Sequence, residues 1–587
     1  MSHQSSKMKH HSPTIALLIR LGILAVGISL TLQAFASPSK PSSFVAGATR
    51  PLKITCLTIG SRGDVQPFIA LGIGLQQDGH QVTIATHLEF REMVEDSGIA
   101  FKNIGGNPQE LIKHCVEYGF FSPEFYIEGY TKFREWIDEL MITVPEACKG
   151  TDVLIESPTA MMGIHVAESM KIPYFRAFTM PWTPTREYPH PFAVTSQQLG
   201  KYYNRMSYNM FNYLIWKGIE SKVNRWREEK LKLKPTSFAK LRTANIPYLY
   251  NFSKHIVPKP RDWGDKTHIT GYWFVDQQKK PDQKKLEDSI SPDLRSFLKK
   301  AKENHKKVVY IGFGSVIFPD AQEVQRKLER AVRKAGVWAV VSGGWADLKP
   351  HEKDAELLDS SRSQDSPIHY VGAVPHEWLF SQVDATLTHG GAGTTAASLR
   401  AGIPTLIKPF FGDQFFWAKL VKKMGVGAHV KSFKVSELAK VFRTATTNPE
   451  QIRKAKAIGE AIRKENGVRR AIGKIYKDMN HARRMMMLGL ARDEAAPIPK
   501  FPKEKVYFWL KQFLREQRSS IHYFLLFAVR ALQYYSTQQQ SLGSTPDPKL
   551  SPQAGVTRNV TISQGNYPQK SNQTKFVIHR LNSPPNS

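Results

Sequence analysis

Cysteine is scarce in this chain, which has three in 587 residues. Cys56, Cys115 and Cys148 do not have the spacing of metal ligands, and at most one disulfide could form between them. This scarcity excludes a small domain held together by a disulfide framework. The sequence also has no clustered Asp and Glu residues of the kind that form a metal motif, so we expect no metal site.

Acidic residues are absent from the first 50 positions. Lys7 and Lys9 precede an apolar stretch at 21–32, and Arg20 interrupts the longer apolar run. The pattern is typical of a cleaved signal peptide or an uncleaved anchor, and the lack of acids also fits an organelle transit peptide. Because of Arg20, a helix that fully spans a membrane is the weaker alternative.

Acidic residues are also few in the rest of the chain, and the formal net charge is +31. No recognised nucleic-acid-binding module occurs, so we expect no nucleic-acid partner. After Asn480, fifteen Lys and Arg stand against five Asp and Glu. A basic tail with aromatic-rich segments favours an anionic membrane surface as a partner. Simple solubility is the alternative explanation.

Apolar residues make up 41% of the chain, which is enough for large cores. The length predicts two domains with extensions. Strands and helices alternate, which indicates an α/β fold with two Rossmann-like parallel-sheet domains facing each other across a cleft. The predicted strands are Lys53–Ile59, Val82–Thr86, Asp152–Ile155, Pro173–Phe178, Val308–Ser315, Val337–Val341, His369–Val371, Ala385–Leu387 and Thr405–Ile407.

Composition divides the chain into six predicted segments. They are a targeting or anchor-like segment (1–50), a first Rossmann-like domain (51–275), a linker (276–306), a second Rossmann-like domain (307–480), a basic and aromatic helical extension (481–535) and a disordered tail (536–587). Residues 185–260 have an irregular, aromatic and basic pattern. A helix at Pro449–Asn466 and another ending near Met479 should close the second domain.

A glycine-rich turn follows the strand Ala385–Leu387. After His389, the glycines at 390, 391 and 393 allow backbone amides to approach a ligand closely. We expect Thr394 or Thr395 to start a helix that Gly402 and Pro404 stop. The first amides of a helix are unpaired and lie at its positive dipole end, so this turn favours an anion, most simply a diphosphate.

The next strand, Thr405–Ile407, leads to Asp413 and Gln414 at the same carboxyl edge of the sheet. Open α/β sheets bind their ligands at that edge. Aromatic residues surround the pair and predict a walled pocket. An anion site with a neighbouring carboxylate and amide suits a nucleotide that carries a sugar.

The segment His389–Phe415 resembles the donor-binding segment of the nucleotide-sugar glycosyltransferases, and among them the sterol 3β-glucosyltransferases. The resemblance covers about residues 52–480 and implies the two-domain B-type glycosyltransferase fold, in which the final helix commonly crosses back onto the first domain. It implies UDP-glucose as co-substrate, no separate cofactor, a membrane sterol as acceptor, and glucose transfer to the sterol 3β-hydroxyl with inversion. The first domain would bind the acceptor and the second the nucleotide sugar.

The resemblance makes Asp64 the catalytic base, in the turn Gly60–Asp64, and His389 a group that stabilises the departing diphosphate. The alternative role for Asp64 is to cap the helix that follows. The donor-contacting residues implied are Ser61, Arg62, Gly314, Ser315, Val374, His376, Gly390, Gly391, Gly393, Thr394, Asp413 and Gln414.

Within this set, Asp413 and Gln414 would bind glucose hydroxyls, and backbone groups near Val374 would pair with uracil. His376 would lie near the ribose or phosphate. Plant small-molecule glucosyltransferases usually have a glutamine where His376 stands, so this departure argues against a flavonoid-type enzyme.

Apolar residues should line the acceptor side, where methionines offer an adaptable surface for a rigid polycyclic alcohol. They are Met161, Met162, Phe178, Met180 and Trp182.

Two alternatives to sterol glucosylation are transfer to another lipid or polyketide acceptor and a catalytically silent nucleotide- or sterol-binding protein. A dinucleotide oxidoreductase is disfavoured, because no Gly-x-Gly-x-x-Gly turn with a trailing acid follows the first strand. For the localisation of the protein, the amino-terminal segment indicates secretion or an organelle. UDP-glucose as the donor, and the usual localisation of the family that the chain resembles, instead favour the cytosolic face of a membrane.

Overall fold

The computed structural model describes residues 51–489, except 108–109, 111–122, 279–287, 289, 315, 317, 319 and 344–365. The predictions for 1–50, for Cys115 and Ser315, and for 490–587 lie outside the described residues.

The first half contains a parallel seven-stranded sheet in the order β3-β2-β1-β4-β5-β6-β7. Its strands are Lys53–Leu57 (β1), Gln81–Thr86 (β2), Ala100–Asn103 (β3), Val153–Glu156 (β4), Tyr174–Phe178 (β5), Tyr248–Tyr250 (β6) and Thr267–Ile269 (β7). Its helices are Arg62–Gln77 (α1), Arg91–Glu95 (α2), Pro123–Ala147 (α3), Gly163–Met170 (α4), Gly200–Glu229 (α5) and Phe238–Thr243 (α6). The central strands are apolar on both faces because helices cover both sides of the sheet.

The second half contains a parallel six-stranded sheet in the order β10-β9-β8-β11-β12-β13. Its strands are Val308–Gly312 (β8), Trp338–Ser342 (β9), Ile368–Val371 (β10), Ala385–Thr388 (β11), Thr405–Ile407 (β12) and Gly427–His429 (β13). Its helices are Pro292–Glu303 (α7), Ala321–Ala335 (α8), His376–Leu379 (α9), Ala392–Ala401 (α10), Gln414–Met424 (α11), Val435–Thr447 (α12), Pro449–Arg463 (α13) and Gly467–Leu488 (α14). The two parallel sheets confirm the predicted fold class.

The irregular pattern predicted for 185–260 is wrong between Gly200 and Glu229, where α5 runs for 30 residues. Its basic side chains obscure an apolar stripe that the fold buries. The buried apolar residues on α5 are Tyr203, Met206, Tyr208, Phe211, Trp216, Ile219, Val223 and Trp226. Packing of this stripe, rather than the local composition, stabilises the helix.

The final helix crosses back onto the first half, as expected. On α14, Val468 and Ile472 lie so close to Gly74 of α1 that a Cβ on Gly74 would come within 2.5 Å of Val468 Cγ1. Arg469 forms an ion pair with Asp78 at the end of α1. This contact ties the two halves together on the side away from the cleft. Within the described residues, no helix has both the length and the apolar character needed to span a membrane.

One apolar cluster is shared by both halves. It includes Phe178, Tyr250 and Phe252 at the carboxyl edge of the first sheet, and Phe416 and Trp417 on α11. Because this cluster is continuous, the carboxyl edges of the two sheets face each other at close range.

Candidate active site

The turn between β1 and α1 presents Asp64 to the cleft. Gly60 has a φ of +127°, and a Cβ there would collide with the Asp64 carboxylate, so glycine is required. Asp64 Oδ2 accepts hydrogen bonds from Ser61 N at 2.8 Å and Ser61 Oγ at 3.1 Å. Asp64 therefore has the geometry of a capping residue, with Oδ1 left for a second role.

The environment of Asp64 suits a base. Burial raises its pKa to about 6, although the Ser61 N–H and hydroxyl act in the opposite direction. The carboxylate is therefore ionised at neutral pH and more basic than an exposed aspartate.

His87, which is not among the site residues predicted from the sequence, supports this turn. The residue is 1% exposed and follows β2. Its Nε2 accepts a hydrogen bond from Gly60 N at 3.2 Å, and its Nδ1 donates to Gly105 O at 2.7 Å. Burial lowers the pKa of His87, so the ring is neutral and keeps one donor and one acceptor. His87 comes next to this turn because β2 pairs with β1, and the local sequence around His87 does not indicate that pairing.

The glycine turn of the second sheet opens α10 at Ala392, with Gly391 as the cap. The predicted start at Thr394 or Thr395 is therefore wrong by at least two residues. Gly391 adopts extended cap geometry, with φ −59° and ψ 145°, so the helix begins directly after it. The first bond runs from Thr395 N to Gly391 O at 3.0 Å. The amides of Ala392, Gly393 and Thr394 precede that bond and point out of the helix end.

His389 lies between two glycines that make room for its ring. A Cβ on Gly391 would lie 2.5 Å from His389 Nε2, and one on Gly314 would lie 3.0 Å from Cε1. Among the described residues, no partner bonds the buried His389 Nδ1. Burial, with a smaller contribution from His376, lowers the pKa of His389 to about 4. His389 therefore offers a neutral polar atom to the site.

His376 lies at the start of α9, next to the same space. Its Nε2 is 3.3 Å from Tyr310 Oη, and its ring stacks on Phe380 with centroids 4.6 Å apart. Burial and then Arg62 lower the pKa of His376 to about 4. Arg62, at the start of α1, is therefore close enough to His376 of the second half to influence its protonation. Val374 is partly buried in the apolar cluster beside α9.

Hydrogen bonds from the surrounding loop and from α11 fix the side chains of Asp413 and Gln414. Trp417 Nε1 donates to Asp413 Oδ2 at 2.7 Å. Gln414 Oε1 accepts from the amides of Phe410 at 2.8 Å and Phe411 at 3.2 Å, so its NH₂ group is the end available to a ligand. Burial raises the pKa of Asp413 to about 7; the Trp417 N–H opposes this, and Asp64 adds to it.

The two halves meet at the starts of α1 and α10. A Cβ on Gly393 would lie 3.4 Å from Gly63 Cα. Phe192 of the first half packs on the other side of the site, 3.3 Å from a Cβ placed on Gly412. The predicted site residues that the structure describes therefore lie along the facing edges of the two sheets.

The predicted acceptor-side residues divide into two groups. Met162, Phe178, Met180 and Trp182 are buried in the aromatic and apolar cores, whereas Met161 is only partly buried. The loop after β5 is fixed by Tyr250 Oη, which accepts from Trp182 N at 2.9 Å and Thr183 N at 2.7 Å. Across the part of the chain that the structure describes, no three His, Cys, Asp or Glu side chains are grouped as metal ligands.

Two family models match the chain. Residues 54–189 match the glycosyltransferase family 28 N-terminal domain, and residues 353–468 match the erythromycin biosynthesis protein CIII-like C-terminal domain. A sterol 3-beta-glucosyltransferase of Cryptococcus neoformans (strain JEC21) is 49% identical over 463 residues, which cover 78% of this chain and 29% of that protein. A sterol 3-beta-glucosyltransferase of Yarrowia lipolytica is 46% identical over 451 residues, covering 76% of this chain and 30% of that protein. Over these segments the chain is similar to glycosyltransferases.

The chain spans about three tenths of the length of the curated relatives it matches. Two solved structures share its fold. The kitacinnamycin glycotransferase covers 73% of this chain and 100% of its own, with a TM-score of 0.53 at 18% identity. The spinosyn forosaminyltransferase covers 73% of this chain and 100% of its own, with a TM-score of 0.52 at 12% identity.

Proposed function

We propose that this chain moves glucose from UDP-glucose to the 3β-hydroxyl of a membrane sterol, with inversion, and releases a steryl glucoside. One observation carries the proposal: Gly63, next to Asp64, is in contact with Gly393 at the start of α10, and Asp64 is close enough to Asp413 to raise its pKa. A base, an anion site and a hydroxyl-binding carboxylate are the groups that glycosyl transfer needs.

The donor would lie along the edge of the second sheet. Its diphosphate would accept hydrogen bonds from the amides of Gly393 and Thr394 at the positive end of α10. The neutral His389 would contact the same diphosphate as negative charge grows on it. The nucleobase would pair with backbone groups near Val374, and the ribose would lie near His376.

The chemical step is a single displacement. The Asp64 carboxylate accepts the proton of the acceptor hydroxyl, and the freed oxygen bonds to the anomeric carbon of glucose. The bond from that carbon to the phosphate oxygen breaks at the same time, and UDP leaves with its electron pair. Attack from the face opposite the leaving group converts the α-linked donor into a β-linked product, as in inverting glycoside chemistry with an alcohol in place of water.

Contact between the halves favours transfer over hydrolysis. The starts of α1 and α10 touch, and the apolar cluster shared by both halves closes one side of the cleft. Water that would otherwise attack the anomeric carbon is thereby excluded. Orientation of both substrates in this space would supply much of the acceleration.

The acceptor assignment draws on two relatives, 49% and 46% identical to this chain, that are sterol 3-beta-glucosyltransferases. The apolar and aromatic character of the acceptor side agrees with a polycyclic alcohol. Met161, partly buried in the loop between β4 and α4, offers a deformable surface for such a ring system.

An anionic membrane, at its cytosolic face, is the proposed source of that acceptor. The outer face of α14 carries Lys477, Arg483 and Arg484, which are exposed, and no exposed acid occurs on this helix. Met487 and Leu488 at its end are 58% and 57% exposed. Basic and apolar side chains on one helix face suit an anionic lipid surface. Vesicle flotation should show binding that increases with phosphatidylserine and decreases with salt, whereas binding indifferent to lipid charge would contradict this proposal.

The experiment that tests the function uses the full chain with radiolabelled UDP-glucose and a panel of sterols and non-sterol lipid alcohols. We expect a labelled lipid-soluble product with sterols, whose anomeric proton coupling identifies a β-glucoside. Product with the other alcohols alone would overturn the sterol assignment. Donor binding without product from any alcohol would instead identify a silent binding protein.

A further inference from the structure

Trp417 lies one helical turn after Asp413, on the same face of α11. Its indole Nε1–H donates to Asp413 Oδ2 at 2.7 Å, and the side chain is 1% exposed. Trp417 is one of the aromatic residues that surround the Asp413–Gln414 pair in the sequence. The structure instead shows a specific bond to the carboxylate.

We propose that Trp417 is a positioning residue for the hexose subsite: its indole N–H fixes Asp413 Oδ2, leaving Oδ1 as the acceptor for a hydroxyl of the donor sugar. The inference rests on the proposed function, in which Asp413 binds the hexose of UDP-glucose. It adds a residue that would contact neither the sugar nor the nucleotide.

Packing explains why the indole can hold this position. The Trp417 ring makes edge-to-face contacts with Phe416, at 5.1 Å between centroids, and with Phe252 of the first half, at 6.4 Å. A ring enclosed from both halves cannot leave without opening the shared apolar cluster. The carboxylate is therefore oriented before the donor arrives, which lowers the cost of ordering it on binding.

The charge of Asp413 depends on the same bond. Burial raises the pKa of Asp413 to about 7, and the Trp417 N–H acts against that rise by stabilising the ionised form. Among the described residues, Asp64 on the facing helix is the titratable group close enough to raise that pKa further. Without the indole N–H, a larger fraction of Asp413 is protonated near neutral pH and accepts hydroxyl bonds poorly.

The test is the variant Trp417→Phe, which keeps an aromatic ring and removes the N–H. Calorimetry on the full chain would measure the affinities for UDP and for UDP-glucose from pH 6 to pH 9. We expect UDP affinity to be unchanged and UDP-glucose affinity to fall about tenfold at pH 7, as for loss of a hydrogen bond to a charged group. The loss should shrink at higher pH, because Asp413 ionises there even without the indole.

Trp273→Phe is the matched control. Trp273 is also buried, at 4% exposed, and its Nε1 donates to Thr270 Oγ1 at 2.9 Å in the core of the first half. This variant loses an equivalent bond in a different apolar cluster from that of Trp417, so the ratio of UDP-glucose to UDP affinity should stay at the wild-type value. A similar ratio change in both variants would overturn the proposal, as would an equal loss of UDP and UDP-glucose affinity in Trp417→Phe.

A double-variant cycle guards against poor folding of Trp417→Phe. In the Asp413→Ala background, adding Trp417→Phe should change the UDP-glucose to UDP ratio no further, because residue 413 then has no side-chain acceptor for the indole N–H. An additional loss of the same size would contradict the positioning role. Failure of the proposed function would give a different result, because the wild-type protein would then bind neither UDP nor UDP-glucose. That result would also overturn the role proposed for Trp417.

Discussion

Gly63 and Gly393 touch across the cleft: a Cβ on Gly393 would lie 3.4 Å from Gly63 Cα. Each residue lies in the first turn of its helix, α1 and α10 respectively. Two positive helix ends therefore converge on one space, which concentrates favourable potential for an anion there. The absence of a side chain at both positions lets the two helix starts come this close.

Gly393→Ala tests the need for this space. The added methyl makes ordinary contact with Gly63, and alanine favours the helix by up to about 1 kcal/mol, so the protein should fold with equal or higher stability. The methyl would crowd the amide end of α10 that we propose binds the diphosphate, and UDP affinity should fall at least about tenfold by calorimetry. Gly473→Ala on α14, where a Cβ would meet nothing within 4 Å, is the control and should leave UDP affinity unchanged.

Asp64→Asn separates capping from catalysis. The asparagine oxygen can still accept from Ser61 N, so the turn should be retained, but the side chain can no longer take a proton. Sterol glucosylation should fall about 10²- to 10⁴-fold while UDP affinity persists. Turnover close to that of the wild type would assign Asp64 to capping alone.

Activity should rise with pH through the pKa of the base. Burial raises the pKa of Asp64 to about 6, so the ionised, competent form is lost as pH falls through that value. The rate at saturating donor should show an acid limb centred near pH 6, measured by product formation from pH 5 to pH 8. A flat profile over that range would contradict the base assignment. Saturating donor is needed because Asp413 titrates nearby, with a pKa of about 7.

Asp413→Asn should stabilise the ligand-free protein at alkaline pH. Burial raises the folded-state pKa of Asp413 from its usual 3.8 to about 7, so keeping the residue ionised opposes folding at high pH. Above that pKa the full cost is present, and it disappears as pH falls towards the unfolded value. Denaturant unfolding of both proteins at pH 8 and pH 4 should therefore show a higher free energy of unfolding for the variant at pH 8 only. An equal gain at both values would exclude the charge as its cause.

His87→Ala should destabilise the turn that carries Asp64. The change removes the acceptor of Gly60 N and the donor to Gly105 O, each of which contributes about 0.5–1.5 kcal/mol. Unfolding should require less denaturant, and the rate at saturating substrates should fall more than UDP affinity does, because the turn carries the base. An unchanged rate in a destabilised variant would limit His87 to a structural role.

Parallel strands and the glycine turn were predictable because they depend on local patterns. The apolar strands are short and bounded by polar turns, and the β12 prediction of Thr405–Ile407 matches the structure residue for residue. Asp413 and Gln414 were predictable because a parallel sheet places successive loops at one edge.

Other features depend on contacts between distant parts of the chain. The apolar stripe of α5 was hidden among Lys and Arg side chains, and only packing reveals it. His87 acts through a turn that lies 27 residues away in sequence. Trp417 did have a local signal, since it follows Asp413 by four residues on a helix, but that spacing has meaning only when the helix start is known. The start of α10 was misplaced because Gly391, rather than a threonine, serves as its cap.

The measurement that tests the central claim most directly is calorimetric titration of the well-folded full chain with UDP and with UDP-glucose. The account predicts saturable binding of both at one site per chain, with UDP binding weakened by Gly393→Ala and retained in Asp64→Asn. Absence of heat or saturation with either ligand, in protein whose unfolding transition is intact, would contradict it.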